Sequence, residues 1–191
     1  MKYNPDIHHR RSIRLQGYDY SQNGAYFVTL CTQNRECLFG EIVNGEMILN
    51  EYGKIVEQCW NDLPNHYDNI ELDSYVIMPN HFHGIIIITD NVDNVGAIHE
   101  LPLHESAIQS PQQRRKMLLP KIIGRFKMNS AKQINQIRNS SGVPVWQRNY
   151  YEHIIRNEKS LEDIRNYIIN NPSEWYYDDY NPKKVKYEKR Q

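Results

Sequence analysis

Long hydrophobic runs are missing from this 191-residue chain: no apolar stretch exceeds four residues, the isoleucines at 85–88 being the most aliphatic. A bilayer-spanning helix needs about 20 such residues, so the sequence offers no membrane span. The opening MKYNPDIHHRRSIR is polar and basic and lacks the apolar core of a secretory signal. Cysteine is scarce. Cys31, Cys37 and Cys59 are odd in number and lack metal-site spacing, which excludes a disulfide framework and implies free thiols in a reducing cytoplasm. Net charge is absent as well, with 23 Lys+Arg against 23 Asp+Glu. Mean hydropathy is −0.77, yet 39% of residues are hydrophobic and 24% charged, a balance that excludes wholesale disorder. The length suits a single domain with extensions, large enough to bury a core without staples.

The zero net charge conceals segregation. Residues 36–105 carry thirteen acidic side chains and one basic one, Lys54, whereas residues 106–156 carry ten basic side chains and one acidic one, Glu152. Both ends are basic. A neutral protein binds a polyanion when its positive charge lies on one face. Solvated basic helices would give the same count, so charge alone leaves both readings open.

The pattern predicts alternating elements. Residues 25–32 (AYFVTLCT) alternate and are rich in β-branched and aromatic side chains, as in a strand. Residues 38–49 place Asn44-Gly45 between two apolar runs, the signature of a hairpin. Asn50 is the expected N-cap of a helix reaching Leu63, with Ile55, Val56, Cys59, Trp60 and Leu63 at helical spacing. Strands are expected at 70–78 and 82–89, broken at Pro79-Asn80. Residues 90–110 read as a loop insertion. A long basic helix is expected over 111–139, with Pro120 as a candidate break. A strand follows at 143–155, then a helix at 159–169 with Ser160 as N-cap. This order predicts an α+β fold, a ferredoxin-like antiparallel sheet with helices on one face. The expected domain is 25–175, between a basic N-terminal extension (1–24) and a basic C-terminal tail (176–191).

The chemistry centres on MPNHFHGI at 78–85. On a strand, side chains at i and i+2 share a face, so His81 and His83 stand side by side. Two neutral imidazoles can chelate one divalent ion. They can equally be ordinary polar residues near a strand end. The 14 tyrosines add candidate nucleophiles, because a phenol can attack phosphorus where a metal polarises the phosphate. On the helix at 159–169, Tyr167 is followed one turn later by Asn171, whose amide oxygen is a candidate third ligand. Tyr167 could also simply pack beside Ile164 and Ile168.

Four segments carry a family resemblance: FVTLCTQNR (27–35), SYVIMPNHFHGIIII (74–88), PKIIGRFKMNSAKQIN (120–135) and VWQRNYYEHIIRNEKSLEDIRNYIINNPSEW (145–175). With them the chain resembles the single-tyrosine HUH transposases of bacterial insertion sequences, most of all the REP-associated tyrosine transposases. The resemblance implies an HUH endonuclease-type fold. It matches His81 and His83 to the HUH pair, Tyr167 to the nucleophile, and Asn171 to a third polar metal ligand that is often Gln in the insertion-sequence branch. Tyr150 and Tyr151 are rival nucleophiles by sequence, but the family pattern puts them on a strand. Glu152 and His153 take no assigned role. The implied cofactor is Mg²⁺ or Mn²⁺. The implied substrate is single-stranded or hairpin DNA, cleaved through a 5′-phosphotyrosine link. Charge clustering alone nominates Arg114, Arg115, Lys116, Lys121, Arg125, Lys127, Lys132 and Arg148 for DNA backbone contact. A monomer with its tyrosine helix in cis is expected, the helix-exchanged dimer of insertion-sequence relatives being the alternative.

Three functions compete at this point. The first is an active DNA strand-transferase. The second is a hairpin-DNA-binding module that retains the fold without cutting. The third, a metal-dependent phosphoesterase for a small substrate, is disfavoured by the segregated charge and the long basic helix.

Overall fold

The computed structural model describes residues 18–89 and 116–184. Arg114, Arg115 and the expected loop at 90–110 lie outside the described residues.

Strand β1 (Gly24–Cys31) forms where alternation predicts it. The hairpin follows as β2 (Gly40–Val43) and β3 (Glu46–Leu49). Its turn residues Asn44 and Gly45 have φ of 53° and 82°, the left-handed pair that Asn-Gly tolerates. Helix α1 (Glu51–Asn61) starts at Asn50, whose side chain accepts from the Gly53 amide. Next come β4 (Ile70–Met78), β5 (His81–Ile88), α2 (Leu118–Ile137), β6 (Tyr151–Ile155) and α3 (Glu158–Asn170).

Four strands form one antiparallel sheet in the order β4-β5-β1-β6. β1 and β4 therefore run parallel with β5 between them, and β5 and β6 run parallel with β1 between them. Each such pair is joined by a helix, α1 or α2, which is the double split βαβ of a ferredoxin-like fold. The β2–β3 hairpin forms a separate two-stranded sheet.

Alternation along β1 and β5 sorts side chains to two faces. Tyr26, Val28, Leu30, Phe82 and Ile86 share a core with Val56 and Trp60 of α1 and with Ile122 and Phe126 of α2. Gly84 lies on that face, and a Cβ there would stand 2.7 Å from the Trp60 ring. Its missing side chain lets the indole lie against β5.

The opposite face corrects the expectation of helices on one side only. Ala25, Phe27 and Ile85 pack there against Leu161 and Ile168 of α3. The isoleucine run is apolar on both faces, so each face needs a cover, and α3 supplies the second.

Three local expectations are also corrected. The strand at 143–155 shrinks to β6. Pro144 has no N–H for a ladder, and Trp146 makes only an isolated bridge to Thr32. Asn157, not Ser160, caps α3; its Oδ1 accepts from the Ser160 amide. Pro120 does not split α2, because it falls in the first turn, where a missing N–H costs nothing. After α3 the chain makes a 3-10 turn (Trp175–Tyr177) and runs on to residue 184 as a strap over the α3 face. Among the described residues no helix is long and apolar enough to cross a membrane.

Candidate active site

β5 presents both imidazoles on the α3 face, where His81 pairs across the ladder with Cys31 and His83 with Thr29. They are 0% and 2% exposed, with ring centroids 4.6 Å apart. Thr29 Oγ1 lies 2.8 Å from His83 Nδ1, and Asn80 Oδ1 lies 2.9 Å from His81 Nδ1. In each ring, Nδ1 faces a supporting side chain and Nε2 faces the site.

α3 delivers the tyrosine. Tyr167 Oη is 3.2 Å from His83 Nε2. Phe27 stacks on His83 at 5.3 Å and meets the Tyr167 ring edge-on at 6.1 Å. The phenol is 46% exposed, so one side is held by the site while the other faces solvent. Its pKa is raised, first by burial of its inner side and then by the nearby Asp178 carboxylate.

Asn171, at the C-terminus of α3, is buried. Its amide is near enough to raise the His81 pKa and lower that of Tyr167. Its Oδ1 nevertheless meets no donor at hydrogen-bonding geometry, and neither does His81 Nε2 meet a partner. Burial holds His81 at about 3 and His83 well below the usual imidazole range, with the His81 charge opposing protonation of His83 as well. Both rings are neutral at pH 7.

Among the described residues no three His, Cys, Asp or Glu side chains converge as a metal-binding group. The donor set is instead two imidazoles and an amide, and it fits a small divalent ion. Two of its three inward atoms, His81 Nε2 and Asn171 Oδ1, are buried orphans, which in proteins call for a ligand, a water or an ion.

For the tail at 176–191 the sequence left two roles open, covering the site or binding DNA, and singled out none of its residues; up to residue 184 it is a strap over the site. Asp178 Oδ2 stands 3.8 Å from His81 Nε2. The Tyr180 ring lies 4.6 Å from His81, and the Arg35 guanidinium lies over it, 5.0 Å from the ring centre. Arg35 Nη1 also donates to the Asp179 carbonyl. Nothing periodic marks residues 176–184, so the pattern gave no signal. Thr29 and Asn80 were legible only as the cross-strand partner of one histidine and the chain neighbour of the other.

Of the rival tyrosines, Tyr151 shares the histidine face and its ring lies 6.4 Å from Phe27, while Tyr150 packs on the α1–α2 core. Glu152 pairs with Val28 on that same core face, and His153 pairs with Phe27. Lys116 is exposed just before α2. On α2, Lys121 and Lys132 are exposed, and Arg125 and Lys127 are half-buried. This helix covers the sheet face opposite the histidines, so the structure does not bring its cations into the site. Lys127 Nζ donates to the Gln147 and Arg148 carbonyls. The Arg148 side chain is exposed.

No family model matches the chain. An uncharacterized protein of Haemophilus influenzae is 48% identical over 177 residues, covering 93% of this chain and 96% of that one. A second protein of that organism, provisionally described as a REP-associated tyrosine transposase, is 27% identical over 154 residues, covering 81% and 73%. Among solved structures, a REP-associated tyrosine transposase bound to a REP hairpin is similar at TM-score 0.48 and 18% identity, over 85% of this chain and 71% of that one.

Proposed function

Because the chain belongs to one family with the uncharacterized Haemophilus influenzae protein and is a distant relation of the REP-associated tyrosine transposases, we propose that it is a metal-dependent single-stranded DNA transesterase with Tyr167 as nucleophile. The observation that carries this reading is the meeting of the Tyr167 hydroxyl with His83 Nε2 at 3.2 Å, beside a buried, neutral His81. A phenol aimed at paired imidazoles, with one side open to solvent, suits attack on a phosphodiester from outside.

His81, His83 and Asn171 are the residues that would hold Mg²⁺ or Mn²⁺, and the ion when bound would polarise the scissile phosphate. The chain's own part is positional. Phe27 and His83 fix the ring of Tyr167, and α3 fixes its backbone. In the reaction a bond forms between Tyr167 Oη and phosphorus as the phosphorus–O3′ bond breaks. The electron pair leaves on the 3′ oxygen, which takes up a proton, and the phenol proton passes to solvent. One phosphodiester replaces another, so the step needs no external energy and reverses when a 3′-hydroxyl returns. Hairpin or single-stranded DNA is the substrate, in a cytoplasmic setting.

The experiment is a covalent-adduct assay on labelled hairpin and single-stranded DNA from the protein's own genomic neighbourhood, with Mn²⁺ or Mg²⁺. The expected result is a metal-dependent band of reduced mobility on a denaturing gel, absent in Tyr167→Phe and His81→Ala. A band surviving in Tyr167→Phe would move the nucleophile to another tyrosine. The strap favours a second reading, a hairpin-binding module that does not cut. Tyr180 and Asp178 stand against the inner imidazole, and tight hairpin binding with no adduct under any condition would establish it.

A further inference from the structure

We infer that Asn80 is a positioning residue of this site: its carboxamide fixes His81 as the Nδ1–H tautomer and so delivers the Nε2 lone pair to the pocket. The inference deepens the transesterase reading and takes its purpose from it, but its geometry stands separately.

Asn80 is fully buried. Its Nδ2 lies 3.1 Å from the Arg35 carbonyl oxygen and 2.7 Å from the Tyr180 carbonyl oxygen. Both oxygens only accept, so this end of the amide is the NH₂. The reversed amide would set its own oxygen against two others. Oδ1 is thereby aimed at His81 Nδ1, 2.9 Å away. An amide oxygen cannot donate, so Nδ1 carries the proton. A fully buried imidazole beside a second one stays neutral and has one N–H only. Nε2 therefore keeps its lone pair, in keeping with the absence of any donor or acceptor at hydrogen-bonding geometry around it.

Asn171 and Asp178 pull the other way; the Asn171 amide is near enough to raise the His81 pKa, but its Oδ1 is not at hydrogen-bonding geometry to Nε2. A carboxylate beside Nε2 favours a proton there, but Asp178 Oδ2 is 3.8 Å off, beyond a hydrogen bond. Asn80 wins on distance. Its backbone is held as well, since its carbonyl accepts from the Thr32 amide at 2.9 Å and the Thr32 hydroxyl at 3.0 Å. One side chain thus links His81 to a turn about 45 residues earlier and a strap about 100 residues later in the chain. An imidazole that is to bind a divalent ion needs a free lone pair and a second group to hold its other nitrogen.

The test is a long-range ¹H–¹⁵N correlation spectrum of the full-length, metal-free protein labelled with ¹⁵N-histidine. Wild type is expected to show His81 protonated on Nδ1 and bare on Nε2. Asn80→Asp keeps the acceptor and should keep the tautomer, although its second oxygen faces two carbonyls and loosens the strap. Asn80→Ala should yield a mixture of tautomers and weaken Mn²⁺ binding by roughly 10–100-fold. A wild-type His81 protonated on Nε2 overturns the inference however the variants fold, and so does an Asn80→Ala spectrum identical to wild type. The tautomer is read without DNA. A protein with the expected tautomer that never forms a tyrosine adduct refutes the transesterase reading and leaves this one standing.

Discussion

Each histidine here gives up its charge to burial. In the unfolded chain His81 and His83 titrate near 6.5, whereas burial in the fold holds both far lower. Below that unfolded value the unfolded chain binds protons that the folded one refuses, so acid favours unfolding. Stability of the metal-free protein should be level above about pH 7 and fall as pH drops through 6.5. The slope should approach about 2–3 kcal/mol per pH unit if both rings stay neutral in the fold. Urea midpoints at pH 7.5, 6.5 and 5.5 would measure it, and a level profile down to pH 5 would mean that the rings accept protons where they lie. This cost is the price of holding two imidazoles neutral in a buried site. The histidine pair was legible in the sequence because period two puts i and i+2 on one face. The supports Thr29 and Asn80 were less so: one lies 54 residues away in the chain, and the other looked like a strand breaker.

At the scale of elements, the seating of α3 decides whether Tyr167 reaches His83. β4 carries a bulge between Leu72 and Tyr75, and the one extra residue re-aims Asp73 toward the helix. Arg165, two positions before Tyr167, grips it with a forked contact: Nε to Oδ1 at 3.0 Å and Nη2 to Oδ2 at 2.5 Å. The Arg165 side chain is 35% exposed and that of Asp73 13%, so solvent screens part of the attraction. Asp73→Asn should cost about 1–2 kcal/mol by chemical denaturation. On the proposed function, tyrosine-adduct formation should slow while hairpin affinity holds, since the change touches the seat of Tyr167. The Arg165 contact lowers the Asp73 pKa, so its contribution is present above the ordinary aspartate value and fades as pH falls below about 4. Adduct rates equal to wild type in Asp73→Asn would dissociate the pair from the chemistry. The hairpin at Asn44-Gly45 and the start of α1 at Asn50 were readable because their causes are local. The face that α3 covers was not, because it depends on strand order, which no stretch of sequence states. Residues 143–150 misled for a related reason: their β-branched and aromatic content suits a strand, but Pro144 and the single bridge at Trp146 leave them without a ladder.

For the molecule as a whole, the proposed function turns on the path that a nucleic acid would take. The histidines and Tyr167 occupy one face of the sheet, and α2 with exposed Lys121 and Lys132 covers the other. A substrate touching both must pass around an edge. β6 is one such edge, with β1 as its sole sheet neighbour among the described residues, and it displays Tyr151 on the histidine face, a ring suited to base stacking. Such a wrapped hairpin would use the helix as an electrostatic anchor and the opposite face for chemistry. Each phosphate contact contributes roughly 0.9 to the slope of log affinity against log salt. The double variant Lys121→Ala/Lys132→Ala should therefore weaken hairpin binding at low salt and reduce that slope by about 2. Its fold should be unaffected, as both side chains are exposed. An unchanged slope would confine the DNA to the histidine face. Arg35, over the Tyr180 ring that lies against His81, brings positive charge to that face, so Arg35→Ala would then carry the loss instead.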